Sequence, residues 1–257
     1  MQKGEHMSYS SSVPSGNQIN IVDQVSRAYW IVFERSQLVL EMALLPFVIV
    51  LAAELIALLL PQGGFFGLLL AALVHTLGFL IFGTVFVVRW HRYVLLGESV
   101  SGDFLPPGWG AFVVAGLKVA GLFLLGWIAL VVLAMLPPHA LTFPLSMIGS
   151  IALGLMVLRL SLVFPAAAIE RPVALRTAWD WMAGNYWRLF ACAICCYLPF
   201  VIVEIIVSLV GAAFPSLMWI VFEALRLAVS FVGAAVLAAM LSHVYLAVVP
   251  SGQFATE

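Results

Sequence analysis

Charge is what this sequence has least of: Asp, Glu, Lys and Arg together make up 9% of its 257 residues. So small a share cannot solvate the surface of an ordinary globular domain of this length. The charges nearly cancel, at -1 from 11 basic and 12 acidic residues. No basic patch is therefore large enough to neutralise a phosphate backbone, which excludes nucleic acid as a partner. Cysteine is scarce too. Cys192, Cys195 and Cys196 crowd into one apolar stretch and frame no disulfide scaffold. Their spacing puts them on one helical face, where they read as small apolar core residues, since no His or Cys elsewhere is placed to complete a soft-metal site. The patterns HExxH, GxSxG, GxxxxGK[ST] and GxGxxG are absent, as is any polar stretch long enough for a soluble domain. No enzyme activity, metal or cofactor is expected. The apolar core of a secretory signal peptide is missing from the polar first residues, so none is expected there.

What is present in abundance is apolar sequence, 64% of the chain, with a mean hydropathy of +1.15. Runs of at least about 20 apolar residues, enough to cross a bilayer, lie near 38–60, 65–88, 110–135, 142–168, 189–213 and 217–246. The fold class that follows is all-α, a polytopic membrane bundle of six transmembrane helices in three hairpins. Residues 1–18, rich in Ser with Pro14 and Gly16, are expected to form a disordered N-terminal tail. Residues 19–250 form the single transmembrane domain and 251–257 a short C-terminal tail. Pro46 and Pro199, at matching places in the first and fifth spans, should kink them.

The connections are of two kinds. Those after the first, third and fifth spans (PQGG, LPPHALTF, AFPS) contain no Lys or Arg. The N-terminal segment and the connections after the second and fourth spans hold Lys3, Arg27, Arg35, Arg89, Arg92, Arg171, Arg176 and Arg188. By the positive-inside rule both termini are expected in the cytoplasm, with the protein multi-pass in a cell inner (plasma) membrane. His91, between Arg89 and Arg92, is expected in a basic cluster facing headgroups.

Two spans are introduced by amphipathic elbows. In RPVALRTAWDWMAGNYWRLF, Leu175, Trp179, Met182, Tyr186 and Phe190 fall on one side of a helix, with Arg176, Asp180 and Arg188 on the other. Pro172 suits a first helical position, and Gly184 followed by Asn185 suits a left-handed stop. An in-plane helix over 172–183 is expected, with Trp179, Trp181, Tyr186 and Trp187 at headgroup depth. Arg176, Trp179, Gly184, Asn185, Trp187 and Arg188 form this interfacial elbow before helix 5. Before helix 1, Asn20 and Asp23 make a helix N-cap pair, and an apolar stripe of Val22, Val25, Tyr29, Val32 and Phe33 leads to Arg35. The segment GESVSGDFLPPGWG before the middle hairpin reads as a loop. The hexapeptide LPFVIV at 45–50 recurs at 198–203, 153 residues on, and Arg35 falls on Arg188 at that offset. An internal duplication of a helical hairpin is the expectation.

Charges inside the spans form two layers. At about 1.5 Å per residue, Glu41, Lys118 and Arg159 lie toward the cytoplasm, and Glu54, His75, Glu204, Glu223 and Arg226 toward the other face. Charged groups facing lipid are costly, so these must point inward or snorkel. In the outer layer three carboxylates cannot be neutralised by one arginine. Arg226 is expected to pair with one or two of them, and at least one carboxyl is expected to hold a proton.

Across LRLSLVFPAAAIERPVALRTAWDWMAGNYWRLF, residues 158–190, the chain resembles the YciC-like bacterial inner-membrane proteins and the membrane domain attached to some glycerophosphodiester phosphodiesterases. The resemblance rests on Arg159 late in a span, a following Pro, a short acidic and basic linker, and the elbow Trp179, Gly184, Asn185, Trp187, Arg188, Leu189. Where the family tends to be more basic, this chain has Asp180, Met182 and Ala183. The resemblance implies a six-helix inner-membrane protein and carries over no catalytic residue. The expected function is a non-enzymatic structural, accessory or envelope-maintenance component. Its alternative is a small transporter or lipid-handling protein using the intramembrane carboxylates. Membrane lipids are the expected partners, with another membrane protein or complex beside them.

Overall fold

The computed structural model describes residues 18–60, 64–98, 103–135, 139–214 and 218–249. The expected tails, apart from Gln18, lie outside the described residues, as do residues 61–63, 136–138 and 215–217 of the three short connections. Ten α-helices follow one another: α1 (Ile21–Glu34), α2 (Ser36–Leu59), α3 (Phe65–Gly78), α4 (Thr84–Leu96), α5 (Trp109–Ala134), α6 (His139–Leu160), α7 (Val163–Ala168), α8 (Leu175–Trp181), α9 (Tyr186–Ala212) and α10 (Met218–Val248). Among the described residues six stretches are long and apolar enough to cross a membrane: α2, α3 with α4, α5, α6 with α7, α9 and α10. α2 pairs with α3, α5 with α6 and α9 with α10, so the bundle is three hairpins. One end carries the ends of α2, α5 and α9 with the starts of α3, α6 and α10. The other carries α1, α8 and the described parts, 97–98 and 103–108, of the connection into α5, and is called the elbow end below.

Helix boundaries follow local chemistry. Asn20 caps α1, its side-chain oxygen accepting the Asp23 N–H at 3.3 Å, and Asp23 adds a negative charge to the first turn. Gly97, at φ 70°, closes α4 in the left-handed conformation that lacks a Cβ penalty. The end of α7 has the same geometry on a costlier residue. Glu170 sits at φ 61° while Arg171 N–H reaches Ala166 O at 2.9 Å and Glu170 N–H reaches Ala167 O at 3.1 Å, the paired bonds of a Schellman stop.

The second span is not one uniform helix. Residues 79–83 form a π turn between α3 and α4. Thr84 Oγ1 approaches the carbonyls of Leu80 (2.5 Å) and Ile81 (2.9 Å), and accepts the Trp109 indole N–H at 2.9 Å. Pro46 and Pro199 lie inside α2 and α9, each within its copy of LPFVIV.

The core gathers round α10. An 18-residue apolar stretch of that span is half buried by protein, against 6% for the corresponding stretches of the second and third spans, so α10 is the central helix and those stretches face mostly lipid. Trp90, fully buried, donates its indole N–H to Ala235 O at 2.8 Å. Ala235, Ala238 and Ala239 let α4 lie close to α10. Gly233 does the same for α9, since a Cβ there would come within 3.1 Å of the Phe200 ring.

The first elbow is a helix whose buried face overlaps the expected apolar stripe in part: Val32 is buried and Val25 and Tyr29 pack against the core. Gln24, Ala28 and Val32 are the buried line, packed on α9 and α10, whereas Val22 and Phe33 are exposed. The reason is that Ala28 lets two backbones approach where a larger residue would not. Tyr29 donates its hydroxyl toward Cys195 O (3.1 Å) and Cys196 O (3.2 Å). Burial, and then the neighbouring Cys196 and Cys195 thiols, push that hydroxyl above its usual range, so it stays a donor.

Candidate functional site

The helical hairpins place the outer acids and Arg226 within reach of one another. Glu54 lies five residues before the end of α2 and Glu223 five residues after the start of α10, so antiparallel packing brings them to the same depth. Arg226 follows Glu223 by three residues and therefore shares its face. Its guanidinium grips Glu223 through both Nε and an amino nitrogen, and that amino nitrogen lies 3.6 Å from Glu54 Oε1. His75 of α3 approaches the same Glu54 oxygen at 3.5 Å through Nδ1. Glu54 and Glu223, from two different helices, thus meet at one guanidinium nitrogen of Arg226.

Glu204 stands apart from this group. Its Oε1 accepts the Ser230 hydroxyl at 2.6 Å, one turn along α10 from Arg226, so Arg226 acts on it only at longer range. At the 153-residue offset Glu54 falls on position 207, so Glu204 sits three residues, about one helical turn, away from that register and meets the residue four positions along α10. Ser230 carried no signal in the sequence, being one hydroxyl in an apolar helix. Beside Arg226 and Glu223 a cavity of about 160 Å³ runs between α9 and α10, floored by Val207, Ser208 and Gly211.

The interfacial elbow departs from expectation in its details. The helix is α8, Leu175–Trp181, shorter than 172–183, because Pro172 to Ala174 are extended. Ala178 and Met182 are its buried residues, and Trp179 is turned outward under the Arg159 guanidinium, 3.8 Å from the ring centre. Arg159 Nε also donates to Trp179 O at 3.1 Å, tying α6 to α8. Cation–π stacking accounts for that rotation of the indole. Gly184 does adopt φ 79° with open space around it, whereas Asn185 has φ −114° and stands at the N-cap of α9, its carbonyl accepting the Arg188 and Leu189 N–H groups at 3.0 Å. The buried Asn185 side chain instead accepts the Ile19 N–H at 3.1 Å, and Arg188 donates to Ile19 O (2.9 Å) and Gln18 Oε1 (2.9 Å). The two residues clamp the chain ahead of α1. Arg176 and Trp187 are exposed. Gly184→Val is expected to lower stability by about 1 to 2 kcal/mol, the cost of left-handed backbone for a residue with a Cβ. An unchanged thermal midpoint in detergent would show that the turn tolerates a side chain.

A second polar centre, at the elbow end, corrects the expectation that His91 and its arginines face headgroups. His91 and Arg92 are both buried. His91 Nδ1 lies 2.7 Å from Ser242 Oγ on α10. Arg92 forks onto Glu98 at 2.6 and 2.7 Å, reaches Glu170 at 3.4 Å, and donates to Ala168 O at 2.9 Å. Arg89 holds the loop through Asp103 O at 2.7 Å. Charges meant for the interface are thus consumed in fixing the loop that starts the middle hairpin. Gly108, at φ 80°, packs against the same Ala168 carbonyl. The cysteines also divide, Cys192 and Cys196 buried and Cys195 exposed, because the face of α9 that α1 and α10 cover is narrower than the three residues span.

Around both centres the surface is apolar on every side: Leu69 and Leu73 on α3, Leu125 and Trp127 on α5, Ile148 and Ile151 on α6 are all exposed. Water cannot cover such a surface at acceptable cost. The chain is a multi-pass membrane protein. Comparison with protein-family models, with curated proteins and with solved structures gives no match.

Proposed function

We propose that the chain is a non-enzymatic integral component of a bacterial inner (plasma) membrane, structural, accessory or envelope-maintaining in role, with both termini cytoplasmic. One observation carries the reading: the strongest polar groups are spent on holding helices and loops together. Trp90, Arg92, Asn185 and Arg188 all bond backbone groups of neighbouring segments, which builds a rigid elbow end rather than a substrate site. Its partners are membrane lipids and a further membrane protein or complex. Membership of the YciC-like group is part of the proposal, on the motif from Trp179 to Leu189. Affinity purification of the tagged chain in mild detergent should retain a stoichiometric partner, and recovery of the chain alone at native expression would count against the role.

The proposed orientation rests on the basic residues of the elbow end. Single cysteines at Gln62, His139 and Ser216, in a background lacking the native three, should label from outside the cell without permeabilisation. Labelling only afterwards would invert the topology.

A second reading, proton- or cation-coupled transport of a small solute or lipid, is favoured by the Glu54 and Glu223 pair beside Arg226 and His75. Acids of this kind within spans mark proton relays in pumps and transporters. Reconstituted protein would then acidify or alkalinise vesicles on substrate addition, and Glu54→Gln would abolish the signal while leaving the thermal midpoint near wild type. Absence of any flux across a solute and lipid panel would remove this reading.

A further inference from the structure

We propose that the groove between α1 and the elbow-end turns of α10 binds the headgroup of a zwitterionic phospholipid bearing a primary ammonium. Asp23, Ser26, Arg27 and Trp30 follow one another at i, i+3, i+4 and i+7, so they form one stripe of α1. That stripe faces His243 across a cavity of about 470 Å³. Pockets of this size hold small ligands.

The depth suits a headgroup. His243 is five residues from the end of α10, roughly 7.5 Å at 1.5 Å per residue, and α1 lies at the same end of the bundle. Trp30 is 63% exposed, although burial is open to so large a ring. At headgroup depth an indole is favoured where it stands, and its face is available to an ammonium. Val22 and Phe33, also exposed on α1, give acyl chains an apolar footing.

The chemistry of the walls selects the ligand. Asp23 and Arg27 lie 2.9 Å apart with their side chains 39% and 57% exposed, so the groove presents both signs at its mouth. Such a pair is weak by itself and opens readily toward a ligand. A purely anionic or cationic ligand would satisfy one of the two and strand the other. A phosphate and an ammonium two carbons apart address both, phosphate to Arg27 and ammonium to Asp23. His243 forms the inner wall of the groove, and among the described residues its buried Nε2 has no hydrogen-bond partner. Quaternary ammonium has no N–H to give Asp23, which separates ethanolamine from choline headgroups.

The groove lies at the opposite end of the bundle from Glu54 and Arg226, so its failure would leave both readings of the protein's role standing. The test uses delipidated full-length chain in mild detergent, titrated with phosphatidylethanolamine, phosphatidylcholine and phosphatidylglycerol of identical acyl chains and with water-soluble phosphoethanolamine, and read by native mass spectrometry. Phosphatidylethanolamine should bind about tenfold tighter than either other lipid, the effect of one charge-assisted hydrogen bond. Arg27→Gln should weaken it about tenfold, and Asp23→Asn should erase its advantage over phosphatidylcholine. Both side chains are exposed, so the variants should keep the lipid-free thermal midpoint. Tighter binding of phosphatidylglycerol, or variants that bind as wild type, would overturn the site. Phosphoethanolamine binding as tightly as the lipid would overturn its assignment to a membrane lipid.

Discussion

Arg226→Leu is expected to lower stability by about 3 kcal/mol, near the lower end of the range for removing one partner of a buried ion pair. The side-chain exposures set the scale: 7% for Glu54, 13% for Glu223 and 33% for Arg226. Without the guanidinium, two carboxyls contributed by α2 and α10 face each other in a region poor in water, and the partial exposure of Arg226 limits the penalty. Adding Glu54→Gln to Arg226→Leu should recover about half of the loss, because it removes one stranded charge and leaves an amide able to donate to Glu223. Adding Glu204→Gln should recover much less, since that carboxylate is satisfied by Ser230. Thermal unfolding of the purified variants in detergent decides between them. A neutral Arg226→Leu, or equal rescue by both second substitutions, would mean that the cluster does not join the first hairpin to the third.

At the other end of the bundle, Gly108→Ala is expected to cost about 2 to 5 kcal/mol, from left-handed backbone strain together with overpacking. A Cβ at Gly108 would lie against the Ala168 carbonyl oxygen and within 2.9 Å of Ala167 O, both backbone atoms that cannot swing aside. Relief requires moving the loop off α7, which would also pull Ala168 O from Arg92. Gly97→Ala is the control. It shares the left-handed φ, at 70°, but meets nothing within 4 Å, so its cost should stay at about 1 to 2 kcal/mol. Equal midpoints for the two variants would show that the contact with α7 carries no energy.

The legible part of the charge cluster was its depth. Glu54, His75, Glu223 and Arg226 fall in one layer by counting residues from the span ends, and the hairpin connections bring α2, α3 and α10 together at that layer. The elbow end was less legible. Arg92 looks like an interfacial arginine from its neighbours Arg89 and His91, and nothing local reveals that Glu98 and the 168–170 segment, through Ala168 and Glu170, converge on it. Asn185 and Arg188 likewise read as turn and anchor residues, and only the return of the chain from far away in sequence shows them holding Ile19.

By itself the sequence determined the six spans, their pairing into hairpins, the depth of each charge and the left-handed turn at Gly184. These are sums over a segment or properties of one residue's backbone, and they survive any rotation of a helix about its axis. Which side of each helix faces protein was decided by tertiary structure alone. A span apolar on all sides has no amphipathic face to announce its orientation, so close approach at Ala28, Ala235 and Gly233 selected the buried lines. Those rotations sent Glu204 to Ser230, split Cys195 from Cys192 and Cys196, turned Trp179 under Arg159, and buried His91 and Arg92 in the core.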